Sequence, residues 1–153
     1  MKPLNDWLEE YGESHQNRTN VWIHKICVPL IFISLYYLLF SIPFTDKSMY
    51  LNWASILYIF ALIFWFRLSP KIGIGFLLFG FLLAISAMAI WIFVFNYSER
   101  AMLRYSAIAF AIGWIGQFIG HKIEGKKPSF LKDLQFLLIG PIWVFEKMMG
   151  RKA

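Results

Sequence analysis

The chain of 153 residues has few of the side chains that soluble enzymes use: one cysteine, three histidines and nine acidic residues. A single cysteine, Cys27, excludes an intrachain disulfide, and its apolar surroundings favour a packing role over a nucleophilic pair with His24. The sequence contains neither H-E-x-x-H nor a glycine-rich phosphate loop. These absences exclude the zinc proteases and nucleotide-binding enzymes that carry those motifs.

Charged residues are also scarce, at 16%, whereas 59% of the chain is hydrophobic and 20% is aromatic. Ordinary soluble chains are roughly 45–50% apolar, so we expect a bilayer to solvate the excess. The net charge of +6 comes from basic residues in the short polar segments that connect and flank the apolar stretches. This arrangement indicates membrane orientation and anionic lipid as a partner, and it argues against nucleic acid.

The apolar stretches predict an all-α integral membrane helical bundle with about four transmembrane helices. A span needs roughly 20 apolar residues, and four stretches qualify: Ile26–Phe44, Tyr50–Leu68, Ile72–Phe95 and Ala101–Gly120. The apolar part of the C-terminal stretch, Phe136–Phe145, is short and broken by Gly140-Pro141, which favours an interfacial or re-entrant helix. The first fifteen residues have the spacing of an amphipathic helix.

We therefore predict a single membrane domain over 1–153. Residues 1–25 form a polar N-terminal segment, 26–120 hold the four spans, and 121–153 hold a second polar motif and the C-terminal helix. Lysine and arginine are concentrated before the first span and after the fourth. The positive-inside rule then places the N-terminus in the cytoplasm. We expect a multi-pass protein of a bacterial inner membrane, or of the endoplasmic reticulum if the source is eukaryotic.

All three histidines lie in the two polar segments that an even number of spans places on one face. His15 and His24 are nine residues apart, so they meet only if the helix breaks between them. The intervening polar residues supply that break, and Asn17 or Thr19 is suited to cap a new helix. On that helix, Asn20 and His24 share a face at i,i+4 spacing.

The second polar segment places Gln117, His121 and Glu124 on one helical face. Histidine and glutamate at i,i+3 spacing are able to bind one metal or to hydrogen-bond each other. Gly113, Gly116 and Gly120 line another edge of this helix and would permit a second helix to approach closely. Three histidines and one carboxylate suit Fe(II), zinc, manganese or nickel, so we predict a metal site.

Two motifs resemble a known family. The chain carries H-x-N-x-x-N-x-x-x-H from His15 to His24, followed by V-P-L, and later Q-F-I-G-H-K-x-E-G-x-x-P-S. This combination resembles the 2-hydroxy-fatty-acid dioxygenases, a family long described as a domain of unknown function. Its fungal members are Fe(II)-dependent enzymes of phytosphingosine breakdown. The resemblance covers nearly the whole chain, although family members often have proline where this chain has Arg18.

The resemblance implies an enzyme that uses Fe(II) and O2 to convert a 2-hydroxy fatty acid into a fatty acid one carbon shorter and CO2. Carried over by motif position, the metal ligands are His15, His24 and His121. Glu124 is implied as a fourth ligand or as a partner of the ligands. Supporting residues are implied to orient imidazoles or substrate, or to attract its carboxylate: Asn17, Asn20, Gln117, Lys25 and Lys122.

Two other functions stay open at this point: a non-catalytic lipid-binding or transport component, and a zinc-dependent membrane hydrolase. The middle of the predicted spans contains no Asp, Glu or Lys, and no inverted repeat is evident, which argues against an ion-coupled carrier. A hydrolase would use a zinc-bound water. Metal identity separates these functions, and the sequence leaves the oligomeric state undetermined.

Overall fold

A computed structural model describes residues 2–42, 44, 51–125 and 136–150. These residues form six helices, which we number in chain order: α1 Leu4–Gly12, α2 Arg18–Phe40, α3 Trp53–Leu68, α4 Pro70–Phe93, α5 Glu99–Glu124 and α6 Gly140–Met148. The predicted all-α membrane bundle is confirmed. The described residues divide into two compact units, Met1–Phe32 with Phe110–Ala153, and Ile33–Ala109. The single-domain description stays a prediction.

Among the described residues, three helices are long and apolar enough to cross a membrane, α2, α4 and α5, and α3 is a shorter apolar helix at the place of the remaining predicted span. The second predicted span corresponds to α3, which is shorter than α2, α4 and α5. It has 16 residues and rises only about 24 Å. It begins late because the side chain of Asn52 accepts from the backbone N–H of Ser55, which closes a capping box. The apolar pattern predicted the positions of these helices but not their ends. The helix α2 begins, and α5 ends, in polar sequence outside the predicted spans.

The second unit is organised around the hairpin of α3 and α4. Trp65 of α3 is fully buried and stacks on Phe76 of α4 at 3.8 Å between ring centroids. Pro70 opens α4, where the absent N–H has no helical partner to lose. Elsewhere on α4, large side chains such as Leu78 and Phe81 are more than 60% exposed. Such exposure agrees with contact to lipid, because exposing these apolar side chains to water would be unfavourable in free energy.

The first unit depends on close packing between α2 and the glycine edge of α5. A Cβ placed on Gly113 would stand 2.6 Å from Cγ1 of Ile31, and one on Gly116 would overlap Sγ of Cys27. The predicted close approach at these glycines is confirmed, and its partner is α2. Cys27 is therefore a packing residue of this interface, as its apolar sequence setting indicated.

The C-terminal helix α6 begins inside the first unit and ends exposed. Gly140, Ile142, Trp143 and Val144 are buried, whereas Phe145 and the methionines at its end are exposed. Gly140 lies against Tyr11 and Val28, where a Cβ would stand 3.1 Å from the phenol oxygen of Tyr11. The placement of α6 as an interfacial or re-entrant helix stays a prediction. The polar residues that precede it, 126–135, lie outside the described residues.

We expect Gly113→Ala to lower the free energy of unfolding by about 1–3 kcal/mol, because its methyl group would meet Ile31, which is 3% exposed. The measurement is Tm in detergent micelles. Gly75→Ala is the matched control, since no heavy atom lies within 4 Å of its Cβ position. That control should leave Tm unchanged or raise it, because alanine is the better helix former. Equal Tm values for the two variants would contradict the packing described here.

Candidate metal centre

The three histidines of the chain come together in the first unit. His15, His24 and His121 each offer one ring nitrogen, and these nitrogens all lie within 4.8 Å of one another. The side chains are buried, at 6%, 1% and 7% exposure. Their ring centroids are separated by 4.2 Å between His15 and His24, 5.1 Å between His24 and His121, and 5.6 Å between His15 and His121.

His15 is positioned by the turn that follows α1. Its backbone N–H donates to the carbonyl of Gly12 at 2.9 Å, and its Nδ1 lies 2.5 Å from the carbonyl oxygen of Tyr11. The imidazole stacks on the phenol ring of Tyr11 at 4.2 Å, with the planes 7° apart. The break predicted between His15 and His24 is therefore present, because α1 ends at Gly12 and α2 begins at Arg18.

His24 lies in the second turn of α2. The side-chain oxygen of Asn17 accepts from the backbone N–H groups of Thr19 and Asn20, at 2.9 and 3.4 Å, and so caps this helix as predicted. Nδ1 of His24 lies 3.0 Å from the carbonyl oxygen of Asn20, four residues earlier. The side chain of Gln117 on α5 is within hydrogen-bonding reach of His24.

The tautomers of His15 and His24 follow from these contacts. A carbonyl oxygen only accepts, so the Nδ1 of each ring must carry the hydrogen. In the neutral imidazole the lone pair is then on Nε2, so Nε2 is the atom that is able to bind a metal. His121 completes the set from the last turn of α5.

Glu124 fastens α5 to the segment that carries His15 and to the start of α2. Its carboxylate accepts from the backbone N–H of Gln16 at 2.8 Å and of Asn17 at 2.9 Å, and from Nδ2 of Asn20 at 2.9 Å. These donors surround the N-terminus of α2, where a negative charge also complements the helix dipole. Glu124 is outside the group of residues whose ligand atoms converge. We call this carboxylate and its donors the Glu124 clasp.

Asn20 is fully buried, and its side-chain nitrogen and oxygen make different contacts. Nδ2 donates to the carbonyl of Ser14 at 3.1 Å as well as to Glu124. Oδ1 lies against Gly120, where a Cβ would overlap it and would stand 3.1 Å from Cε1 of His24. The glycine before His121 is therefore needed for Asn20 and His24 to occupy their places.

The two lysines beside the histidines in sequence are less enclosed. Nζ of Lys25 lies 4.7 Å from the ring centroid of Trp22, and Lys122 is exposed in the last turn of α5. Each lysine directly follows a histidine of the cluster in its helix. Their interaction with a substrate carboxylate stays a prediction.

Sequence reasoning missed an aromatic wall beside His15. Trp143 of α6 is fully buried, and its ring lies 5.0 Å from that of His15 and 5.2 Å from that of Tyr11. Phe136 meets Tyr11 edge-on at 5.2 Å. Tyr11 had a signal, because it is spaced four residues from His15 in the amphipathic pattern of the first fifteen residues, although α1 ends at Gly12 before His15. Trp143 had none, because nothing in its local sequence indicates that α6 packs against α1.

The donor set fits a divalent transition metal. Three imidazoles this close cannot all be protonated without strong mutual repulsion, so they are suited to a shared cation through their lone pairs. Three nitrogen ligands from three segments leave coordination positions for other molecules. The burial of all three rings and the hydrogen bonds at Nδ1 hold this arrangement in place.

Comparison with known proteins agrees with this geometry. The sequence profile described as "2-hydroxy-palmitic acid dioxygenase Mpo1-like" matches residues 1–152. The chain belongs to the Mpo1-like family. Among curated proteins of this family, "2-hydroxy-palmitic acid dioxygenase MPO1" of Saccharomyces cerevisiae is 29% identical over 143 residues, which is 92% of this chain and 76% of the yeast protein. No solved structure matches.

For this Mpo1-like chain, we expect Glu124→Gln to lower the free energy of unfolding by about 1–3 kcal/mol. The carboxamide would turn an NH2 group toward N–H donors that now share two carboxylate oxygens. Tm should be measured after metal has been removed with a chelator. Glu9→Gln, on the exposed face of α1, is the control and should be neutral.

The metal-free measurement separates the Glu124 clasp from direct metal ligation. A ligand that only binds the ion would lower metal content in Glu124→Gln and leave the Tm of the metal-free protein unchanged. That pattern would contradict the clasp.

Proposed function

We propose that this chain is an Fe(II)-dependent dioxygenase that converts 2-hydroxy fatty acids into fatty acids one carbon shorter and CO2. The observation that carries the proposal is the buried convergence of His15, His24 and His121 within apolar helices. Membership of a family named for 2-hydroxy-palmitic acid dioxygenase supports the substrate class. The yeast relative carries the same name.

The proposed reaction balances with O2 as the only oxidant. R–CH(OH)–COOH and O2 give R–COOH, CO2 and H2O. The substrate loses four electrons as its C1–C2 bond breaks, and the two oxygen atoms gain them. No separate reductant is required, so a 2-oxoglutarate site is not needed.

In the proposed enzyme the three imidazoles hold the metal and the rest of the first unit holds the imidazoles. Fe(II) would supply activation of O2 and a chelation point for the carboxylate and hydroxyl oxygens of the substrate. The Glu124 clasp, including Asn17 and Asn20, keeps the segment of His15 in register with α2. Gln117 orients His24, while Lys25 and Lys122 attract the carboxylate. Apolar helices would accommodate the acyl chain.

We also propose a location for the chemistry. The chain is an integral membrane protein whose N-terminus faces the cytoplasm, in a bacterial inner membrane or in the endoplasmic reticulum. Its acyl substrate would stay in the lipid while the polar head enters the histidine cluster. This placement explains why an enzyme for a water-insoluble substrate is built from membrane helices.

A zinc-dependent hydrolase is the second candidate, since three imidazoles with an open position also suit catalytic zinc. The metal bound by the purified protein separates the two. Iron with consumption of O2 supports the dioxygenase, and retained zinc with no response to Fe(II) supports a hydrolase. A metal-free protein that binds lipid without consuming O2 would indicate the non-catalytic component.

We expect His24→Ala and His121→Ala to abolish stoichiometric metal binding and to lower turnover of 2-hydroxypalmitate at least 100-fold, because two imidazoles hold an ion far less tightly than three. Bound metal is measured by elemental analysis, and turnover by O2 consumption together with formation of the C15 acid. Arg104→Ala, at an exposed position of α5, is the control. Normal turnover in either histidine variant would refute the proposed site.

A further inference from the structure

Trp143 carries a polar group that the proposed metal site does not use. The residue is fully buried, and in the part of the chain that the structure describes its indole N–H has no hydrogen-bond partner. An indole nitrogen only donates, and a buried tryptophan usually finds an acceptor for it. Leaving such a donor unsatisfied is costly, so its place beside the histidines calls for an acceptor from a ligand.

Space for that acceptor exists at Gly12. A Cβ built on Gly12 would stand 3.5 Å from Nε1 of Trp143, an ordinary contact, and apart from its chain neighbours Tyr11 and Glu13 no other side chain of the described residues comes within 4 Å of it. Nε1 therefore borders an open position that would accept one methyl group or one carboxylate oxygen. The His15 ring lies 5.0 Å from the Trp143 ring, so this position adjoins the histidine cluster.

The surroundings of Trp143 favour an anionic acceptor. Nζ of Lys147 lies 5.3 Å from the centroid of the indole, on the same helix. The ring of His15 lies 5.0 Å from the indole, and it belongs to the histidine cluster that is suited to a shared cation. A hydrogen bond to a carboxylate is roughly twice as strong as one between neutral groups, and nearby positive charge strengthens the preference.

From these contacts we infer that Trp143 is a substrate-binding residue, whose indole N–H donates to the carboxylate of a fatty acid. One carboxylate oxygen accepts from Nε1 while the other faces the three histidines. The C-terminal helix thereby becomes part of the binding site. This inference rests on the proposed function for the identity of the acid, but the recognition of a long-chain carboxylate is tested separately from turnover.

The test observes the indole N–H directly by NMR. Full-length protein labelled with 15N-tryptophan in lipid nanodiscs, loaded with diamagnetic Zn(II), should give an indole signal for each of its seven tryptophans. Trp143→Phe and Trp7→Phe identify two of them by loss of a signal. Trp7 is the matched control, because its Nε1 is also buried without a partner and a lysine, Lys2, also lies over its ring, but its described aromatic contact is to Phe136 and not to a histidine.

Adding 2-hydroxypalmitate or palmitate should move the Trp143 indole proton downfield in a saturable way and leave that of Trp7 in place. Hexadecanol, which lacks the carboxylate, should not move it. An unmoved Trp143 signal, or the same shift with hexadecanol, would overturn the inference. Gly12→Ala is a second test: its methyl group fits the helix but occupies the space beside Nε1, so it should abolish the shift while preserving Tm.

Kinetics supply an independent measurement. Trp143→Phe should raise KM for 2-hydroxypalmitate about tenfold or more, because the hydrogen bond to a charged group is lost. The smaller ring also leaves a cavity beside His15, so KM is compared at stoichiometric metal content and Tm is measured alongside it. An unchanged KM would overturn the inference and leave the proposed dioxygenase intact. A carboxylate-dependent Trp143 shift in a wild-type protein that never consumes O2 would refute the dioxygenase and support the carboxylate site.

Discussion

The close contact between α2 and α5 is the constraint on which the rest of the first unit depends. Glycines at 113, 116 and 120 remove the side chains that would keep the two backbones apart. Without a hydrophobic driving force between helices in lipid, such close van der Waals contact is what holds them together. The same register brings the second turn of α2 beside the last turn of α5, and these turns carry His24 and His121.

The Glu124 clasp holds the segment of His15 next to His24 and His121. His15 lies in a turn between helices, where the backbone has unsatisfied N–H groups and no ladder to fix it. The carboxylate of Glu124 accepts from two of those groups and from Asn20. One side chain from α5 thus ties the turn, the start of α2 and the helix of His121 into one hydrogen-bonded network.

Much of this arrangement was predictable from short-range patterns. The polar run after His15 predicted the helix break, Asn17 was a cap by residue type, and the glycine spacing predicted a tight interface. The even number of spans used to bring the histidines together was less secure, because α3 is only 16 residues long. The histidines converge through the glycine interface and the Glu124 clasp, so their meeting does not depend on counting crossings.

The unpredicted parts depend on contacts between segments distant in sequence. The role of Glu124 depends on where the Gln16 and Asn17 amides point, and spacing on its own helix suggested a metal ligand equally well. Trp143 belongs to an apolar stretch like many others in a chain that is 20% aromatic. Only the docking of α6 against α1, through Gly140 and Tyr11, distinguishes it from a tryptophan that faces lipid.

The distribution of the three histidines has a consequence for biosynthesis. His15 and His24 are made early, but His121 follows only after the segments of α3 and α4 and most of α5. A nascent chain can therefore offer two imidazoles at most until nearly all of its apolar helices have left the ribosome. An ion that needs all three would bind and stabilise only the completed chain, by mass action. Binding of such an ion would therefore report that α2 and α5 have packed together.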